Sequence, residues 1–438
     1  EVTDEPVLEI RSEGEIVATL APAWLADDAP EYDVHEWAQP GGGDVASVGA
    51  CLAPRGAPYP LDRLLDVRAG GHTLVARPRP SLDLAAASRD LGTAASATPL
   101  HKIGLELLDL LASPAVASRE VIYRTYDQMV GTDTVLGPGA DAALLRIKGR
   151  RDGIALAIDA QPRVAALDPF VGAASAVAEA LRNVVCVGAT PLAITDCLNL
   201  GNPERPQGAW QLERTIAGIA AACDALGVPV VSGNVSLYNA TRGADIWPTA
   251  VIGAVGHIDD VTRHIAVTSG RPGDVVMLAG TAQVGVGSSA YGALAGVHEG
   301  PVAIDLALEA RLQRLVLAAH AAGALRAAHD RSEGGLAVAL AELAMRDRVG
   351  MKVTLPAVRG IDKRVALFGE APSGVVLVLD PSREAELRAL ATRHDVAVWT
   401  LGTVGGDLLE IAPVLGLPIA SLLEAHRGGL ARALGREV

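Results

Sequence analysis

A chain of 438 residues, half of them apolar and one fifth charged, has material for two or three domains and a large core. Its 51 acidic against 37 basic residues leave a formal charge of −14, which argues against a general nucleic-acid surface but not against a phosphate held by local turns and Mg²⁺. Aromatic residues are too scarce for base-stacking platforms, and no apolar run reaches the length of a membrane span.

Cys51, Cys186, Cys197 and Cys223 form no CxxC pair and no metal-ligand spacing, as expected of incidental thiols in a reducing compartment. The chain opens Glu1-Val-Thr-Asp-Glu-Pro6, with neither a signal-peptide pattern nor an initiating Met. From this a cytoplasmic, trimmed protein is expected.

In chain order, Val7–Ile10 and Ile16–Leu20 flank Ser12-Glu-Gly-Glu15 and read as a β-hairpin. The far end carries an echo: Asp407–Ile411 precedes Pro418–Leu422 much as Pro6–Ile10 precedes Ile16–Leu20, which suggests a duplicated module. Residues 39–98, with Gly41-Gly-Gly43, Pro54, Pro58, Pro60, Pro78, Pro80 and an Ala/Ser-rich stretch, read as a linker carrying one short helix at Leu61–Asp66. Helices are expected at Ile103–Leu111 and Glu120–Val130, then strands at Ala142–Ile147 and Ile154–Ile158. Asp168-Pro169 opens a helix whose apolar stripe runs through Ala173, Val177, Ala180, Leu181 and Val184. A strand, a polar loop at 195–203, a helix at 208–226 and a strand at 228–232 complete an α/β domain near residue 258.

The last domain alternates strands (Asp274–Ala279, Gly374–Leu379, Val396–Trp399) with helices (Glu309–Ala322, Leu336–Met345, Arg383–His394). The glycines of Gly285–Ser289 and Gly334-Gly335, the latter pair beside a helix N-terminus, offer free N–H groups to an anion, or allow close packing only. His329 has no accompanying nucleophile or second base and is read as structural.

The stretch with the most chemistry is Val230-Val-Ser-Gly-Asn-Val-Ser-Leu-Tyr-Asn239. It reads as a strand ending in a tight turn, where Gly233 lets a ligand approach the main chain. Asn234 and Ser236 place a neutral oxygen and a hydroxyl on alternate positions, hence on one face of an extended chain. Neutral oxygens suit Mg²⁺ already bound to phosphates. Thr195-Asp-Cys-Leu-Asn-Leu-Gly-Asn-Pro203 is a second polar loop that could converge with it on one ligand. Asp196, Asn199 and Asn202 are equally ordinary Asx-turn and capping residues. Asp141 and Asp159, at strand edges, are either Mg²⁺ ligands or solvated turn carboxylates.

Taken together and in order, several long motifs resemble one family. They are Tyr123-Arg-Thr-Tyr-Asp-Gln-Met-Val130, Gly137-Pro-Gly-Ala-Asp141, Leu167-Asp-Pro-Phe-Val-Gly172, Ile194–Pro203, Ser232–Asn239, Asp330-Arg-Ser-Glu-Gly-Gly335 and Leu367-Phe-Gly-Glu-Ala-Pro-Ser373. The family is the small-type phosphoribosylformylglycinamidine synthase of purine biosynthesis, and the likeness is to its second half, over residues 1–38 and 100–438.

The resemblance implies an AIR synthetase-like α/β (α+β) fold. Residues 1–38 would be the tail of a first B domain and 39–111 a linker with short helices. Residues 112–258 would form an A domain (β-rich half-barrel) and 259–438 a B domain (α/β sandwich).

It also implies an ATP-dependent carbon–nitrogen ligase that converts formylglycinamide ribonucleotide with glutamine-derived ammonia. The partners implied are an N-terminal half, a glutaminase subunit and a small bridging subunit. Carried over residue by residue, Asp196 and Gly233 match ATP-binding positions, Asn234 a Mg²⁺ ligand and Ser236 a substrate contact. Asp141 and Asp159 would suit a second nucleotide/Mg²⁺ site. No catalytic residue is assigned, because the family's catalytic histidines lie in its first A domain, and the chain is expected to be inactive alone. Where the family has Asp-Cys-Asn-Gly-Arg, this chain has Asp159-Ala-Gln-Pro-Arg163, which keeps Asp159 and Arg163 and replaces the three residues between them. A non-catalytic ADP·Mg-binding scaffold that docks a glutaminase is the alternative.

Overall fold

The computed structural model describes residues 8–12, 15–20, 68–69, 72–73 and 99–436, the last stretch without 299, 357, 359 and 360. The rest of the expected linker, its short helix and Cys51 lie outside the described residues. The expected hairpin is present: β1 (Leu8–Ser12) pairs antiparallel with β2 (Glu15–Leu20). A minimal ribbon follows, β3 (Arg68–Ala69) with β4 (His72–Thr73).

Helix α1 (Pro99–Leu111) falls in the stretch expected as linker, yet its apolar stripe Ile103, Leu107, Leu110 and Leu111 is sealed into the core of the last domain. Helix α2 covers only Glu120–Tyr123. The expected helix stops there because the Asp127 carboxylate accepts from the Met129 N–H, a local turn that competes with helix.

The first large sheet contains β5 (Thr134–Leu136), β6 (Ala143–Arg146), β7 (Gly153–Ala160), β8 (Thr190–Asn199), β9 (Val230–Ser236) and β12 (Thr249–Ile258). A small ribbon, β10 (Ala240–Thr241) with β11 (Ala244–Asp245), stands between the last two. The order is β5-β6-β7-β12-β8-β9, antiparallel except for the parallel pair β8 and β9, which leaves β9 at the edge.

Along β7 and β12, alternate residues are buried and open, the period-2 signature of a sheet covered on one side. The cover is a helical layer of α3 (Pro162–Leu167), α4 (Pro169–Cys186) and α5 (Pro206–Leu226). Asp168 caps α4 by accepting from Phe170 N (2.9 Å) and Val171 N (3.2 Å), and Pro169 takes the first-turn position that needs no N–H. Almost every residue of α4 is buried because sheet, α5 and the second domain pack around it.

The second domain has α6 (Ala290–Ala295), α7 (Leu306–Ala321), α8 (Gly335–Asp347), α9 (Lys363–Phe368), α10 (Glu384–His394) and α11 (Ile419–Ala433). Its strands are β13 (Val275–Gly280), β14 (Ala327–Asp330), β15 (Met351–Thr354), β16 (Gly374–Leu379), β17 (Val398–Val404), β18 (Leu408–Ala412) and β19 (Leu415–Pro418), ordered β14-β16-β13-β17-β15-β18-β19. Every residue of β13 and β16 is buried, because α1, α8 and α11 cover one face of this sheet and α7 and α10 the other. That three-layer sandwich explains their unbroken apolar runs. The hairpin β18–β19 echoes β1–β2, but its second strand ends at Pro418 and Ile419 starts α11, so the sequence echo aligns only the first strand correctly.

Candidate functional site

The two polar stretches expected as loops are adjacent strands. β8 extends through Asn199 and β9 through Ser236, paired in parallel as Thr195↔Ser232, Asp196↔Gly233, Cys197↔Asn234 and Asn199↔Ser236. Polar residues are tolerated in β9 because it is an edge strand whose residues stay open to solvent.

Asn234 and Ser236 share a face, as expected, with Cys197 and Asn199 beside them. Asp196 and Gly233 occupy the opposite, helix-covered face, in one cross-strand row with Ile252 and Asp159. The four expected residues therefore straddle the sheet edge rather than lining one side of it.

Gly233 has a local reason to be glycine: a Cβ there would come 2.5 Å from Asp196 Oδ1. The Asp196 carboxylate fills the space that a side chain would take, and burial raises its pKa. Just beyond β9, Asn239 donates through Nδ2 to Ser236 O (2.8 Å) and Leu200 O (3.1 Å), tying the ends of both strands together.

Asp141 and Asp159 are not brought to one point by their hydrogen bonds. Asp141 Oδ1 lies 2.7 Å from His329 Nδ1 and accepts from Asp330 N at 3.1 Å, joining the two domains. Burial pushes the Asp141 carboxyl up, but the His329 cation outweighs it and holds it below the usual carboxylate range. Asp159 accepts from Asn183 Nδ2 at 3.4 Å. Burial first, then the charges of Glu333 and Asp330, raise its pKa well above the ordinary value.

Beside this region a cavity of about 480 Å³ opens between the domains, lined among others by Ser175, Glu179, Gly285, Arg331, Glu333 and Glu370. The helix N-termini that sequence offered to an anion are already taken. Glu370 Oε1 accepts from Gly334 N (2.6 Å) and Ala290 N (2.8 Å). Burial nonetheless raises its pKa to about 8, helped by Glu333.

Sequence reasoning missed Arg182, which is buried on α4 and bonds Asp330 and Glu309 (2.9 Å) across the domain interface. The available signal was Glu179 and Arg182, three residues apart within a mostly apolar helix. Among the described residues no three His, Cys, Asp or Glu side chains gather to hold a metal ion unaided.

Residues 139–258 match the family model for the AIR synthase related protein N-terminal domain, and residues 271–411 that for its C-terminal domain. With both domains matched in order, the chain belongs to the AIR synthase related family, and the fold expected from the motifs is borne out.

Among curated proteins, the phosphoribosylformylglycinamidine synthase subunit PurL of Thermomicrobium roseum is 42% identical over 98% of this chain and 53% of its own length. That of Anaeromyxobacter dehalogenans is 45% identical over 76% of this chain and 46% of its own. The chain thus spans about half the length of the curated relatives it matches, and corresponds to their C-terminal half. Among solved structures, Thermotoga maritima PurL complexed with FGAR superposes with a TM-score of 0.61 at 20% identity, over 74% of this chain and 53% of that one. The same protein complexed with ATP gives 0.58 over 74% and 52%. At that identity the likeness concerns the fold.

Proposed function

We propose that this chain is the C-terminal half of a phosphoribosylformylglycinamidine synthase. The reaction is ATP-dependent conversion of formylglycinamide ribonucleotide and glutamine-derived ammonia to the amidine. The observation that carries the reading is the bare edge β8–β9, which offers Asp196 and Gly233 on one face and Asn234 and Ser236 on the other. It is joined by the relatives' name and by ligands such as FGAR and ATP in their solved structures.

In this reading ATP phosphorylates the substrate's amide oxygen and ammonia displaces the phosphate. Asp196 and the bare main chain at Gly233 hold the nucleotide, and Ser236 contacts the substrate. Mg²⁺ bound to the phosphates would neutralise charge on the transferring group, with Asn234 supplying one neutral oxygen. The donor set fits this, since that face of the edge offers neutral amide oxygens, Asn234 with Asn199 beside it, rather than a carboxylate cage. The chain's part is positioning and electrostatics.

A second nucleotide would sit in the interdomain cavity near Asp159. Asp141 would act only indirectly there, since His329 engages it. Partners are the N-terminal half, a glutaminase subunit and a small bridging subunit, in keeping with a solved assembly described as PurLQS. Among the described residues no helix is long and apolar enough to cross a membrane. A cytoplasmic location is part of the proposal.

The test is ammonia-driven, formylglycinamide-ribonucleotide-dependent ADP release. Silence from the chain alone and recovery on adding an N-terminal half are expected. Turnover without the partner, or none with it, would sink the reading.

A further inference from the structure

The Ser236 hydroxyl has one side-chain neighbour that decides how it is used. Asn239 Nδ2 donates to the carbonyl oxygens of Ser236 at 2.8 Å and Leu200 at 3.1 Å. Carbonyls only accept, so this pair fixes which end of the amide is the NH₂. The Ser236 Oγ lies 3.1 Å from that nitrogen and 3.3 Å from Asn239 Oδ1. Nδ2 donates to Ser236 Oγ at the same distance as to Leu200 O, so the two acceptors share a hydrogen, and Oδ1 is the end of the amide that takes the hydroxyl proton. An Oγ lone pair is then left for whatever approaches the open sheet face.

The main chain fixes the same geometry. Asn239 N donates to Leu200 O at 3.1 Å, Leu200 N to Ser236 O at 3.0 Å, and Tyr238 N to Gly201 O at 2.9 Å. Neither end of the amide can turn without breaking the junction between the two strands.

We propose that Asn239 is a positioning residue that holds Ser236 as a hydrogen-bond acceptor. The substrate group meeting Ser236 is accordingly a donor, an N–H or O–H, and not a phosphate oxygen. This rests on the proposed role of Ser236 as a substrate contact.

The test uses the full chain complemented with an N-terminal half, with formylglycinamide ribonucleotide titrated calorimetrically and KM and kcat measured alongside. S236A and N239A are each expected to weaken substrate binding about tenfold, the order of a lost hydrogen bond. The double variant should be within about twofold of S236A, with kcat changed far less than KM.

S236D, an acceptor-only side chain, should bind at least as well as S236A if the partner is a donor. If the partner is a phosphate oxygen, it should bind about a hundredfold worse. N239S replaces N239A if the latter fails to fold, with the same expectation. Additive losses from Ser236 and Asn239, or the poor binding of S236D, would overturn this inference while leaving the site standing. Unchanged binding by S236A, or no binding by the complemented wild-type chain, would remove the proposed site and this inference with it.

Discussion

Replacing His329 with Gln tests the bond between the two domains. The residue is 8% exposed, with Nδ1 2.7 Å from Asp141 Oδ1 and Nε2 2.9 Å from Glu342 Oε2. Both nitrogens face carboxylates, so both carry hydrogens and the ring is a cation. Burial alone would push its pKa down, but Asp141 and Glu342 raise it to about 10. Burial pushes Glu342 up in turn, and His329 holds it below its ordinary value. The other groups facing the cluster are Arg346, Asp330 and His426, whose own pKa burial lowers.

At ~1.4 kcal/mol per pKa unit, a ring titrating at about 10 instead of 6.5 is favoured as the cation by on the order of 5 kcal/mol, an upper bound. Breaking a buried pair from one side typically costs about 3–5 kcal/mol, so H329Q should lose roughly 3 kcal/mol or more at neutral pH.

The raised histidine pKa gives stability that is whole below pH 6.5 and fades as pH climbs through about 10. The depressed carboxylates give stability present above their unfolded values near ~4 and lost as pH falls. In H329Q both carboxylates are buried without the cation, so their pKa values rise and acid relieves the variant. The gap between wild type and H329Q should therefore peak near pH 6.5–7 and narrow toward both pH 5 and pH 9. Urea unfolding followed by circular dichroism across that range measures it. A loss under about 1 kcal/mol, or a gap flat with pH, would refute the reasoning.

Three further outcomes follow from single contacts. G233A puts a methyl 2.5 Å from Asp196 Oδ1 and must displace that carboxylate, so KM for ATP in the complemented enzyme should rise about tenfold with little change in melting temperature. R182M leaves Asp330, Glu309 and Glu179 without their shared cation in the interface, and urea unfolding should show a loss of about 3–5 kcal/mol. I158K alters a side chain that is 77% exposed, so the chain's own stability should change by less than about 0.5 kcal/mol while co-elution with an N-terminal half is lost.

Legibility in the sequence followed the strength of the local signal. The Asp168-Pro169 start of α4 and the run Gly374–Leu379 were readable because capping chemistry and buried apolar runs are written in neighbouring residues. The strand character of Thr195–Asn199 and Ser232–Ser236 was not, because Asp, Asn, Ser and Gly signal turns, and only pairing with strands distant in sequence, β12 and β9 for the first and β8 for the second, makes them strands. Asn234 and Ser236 were placed correctly on one face by alternation alone. That Asp196 belongs to the other face needed the pairing register. Arg182 stayed hidden because its partners Glu309 and Asp330 are 127 and 148 residues away.

Under the proposed function, the two faces of the first sheet also divide the work. On the face of Asp196 and Gly233, the chain's own helices supply the wall behind the row. On the face of Asn234 and Ser236, Ile154, Leu156 and Ile158 of β7 stand in the open, an apolar surface of a kind that soluble proteins normally cover. In the proposed reading, whatever covers that surface also closes the Asn234 and Ser236 side of the edge, where the substrate would sit, while the Asp196 and Gly233 side does not wait for it. The isolated chain should therefore retain measurable ATP binding by calorimetry, while formylglycinamide ribonucleotide should bind only after an N-terminal half is added. The reverse order, with substrate bound by the chain alone and ATP only by the pair, would show that the faces had been assigned to the wrong ligands.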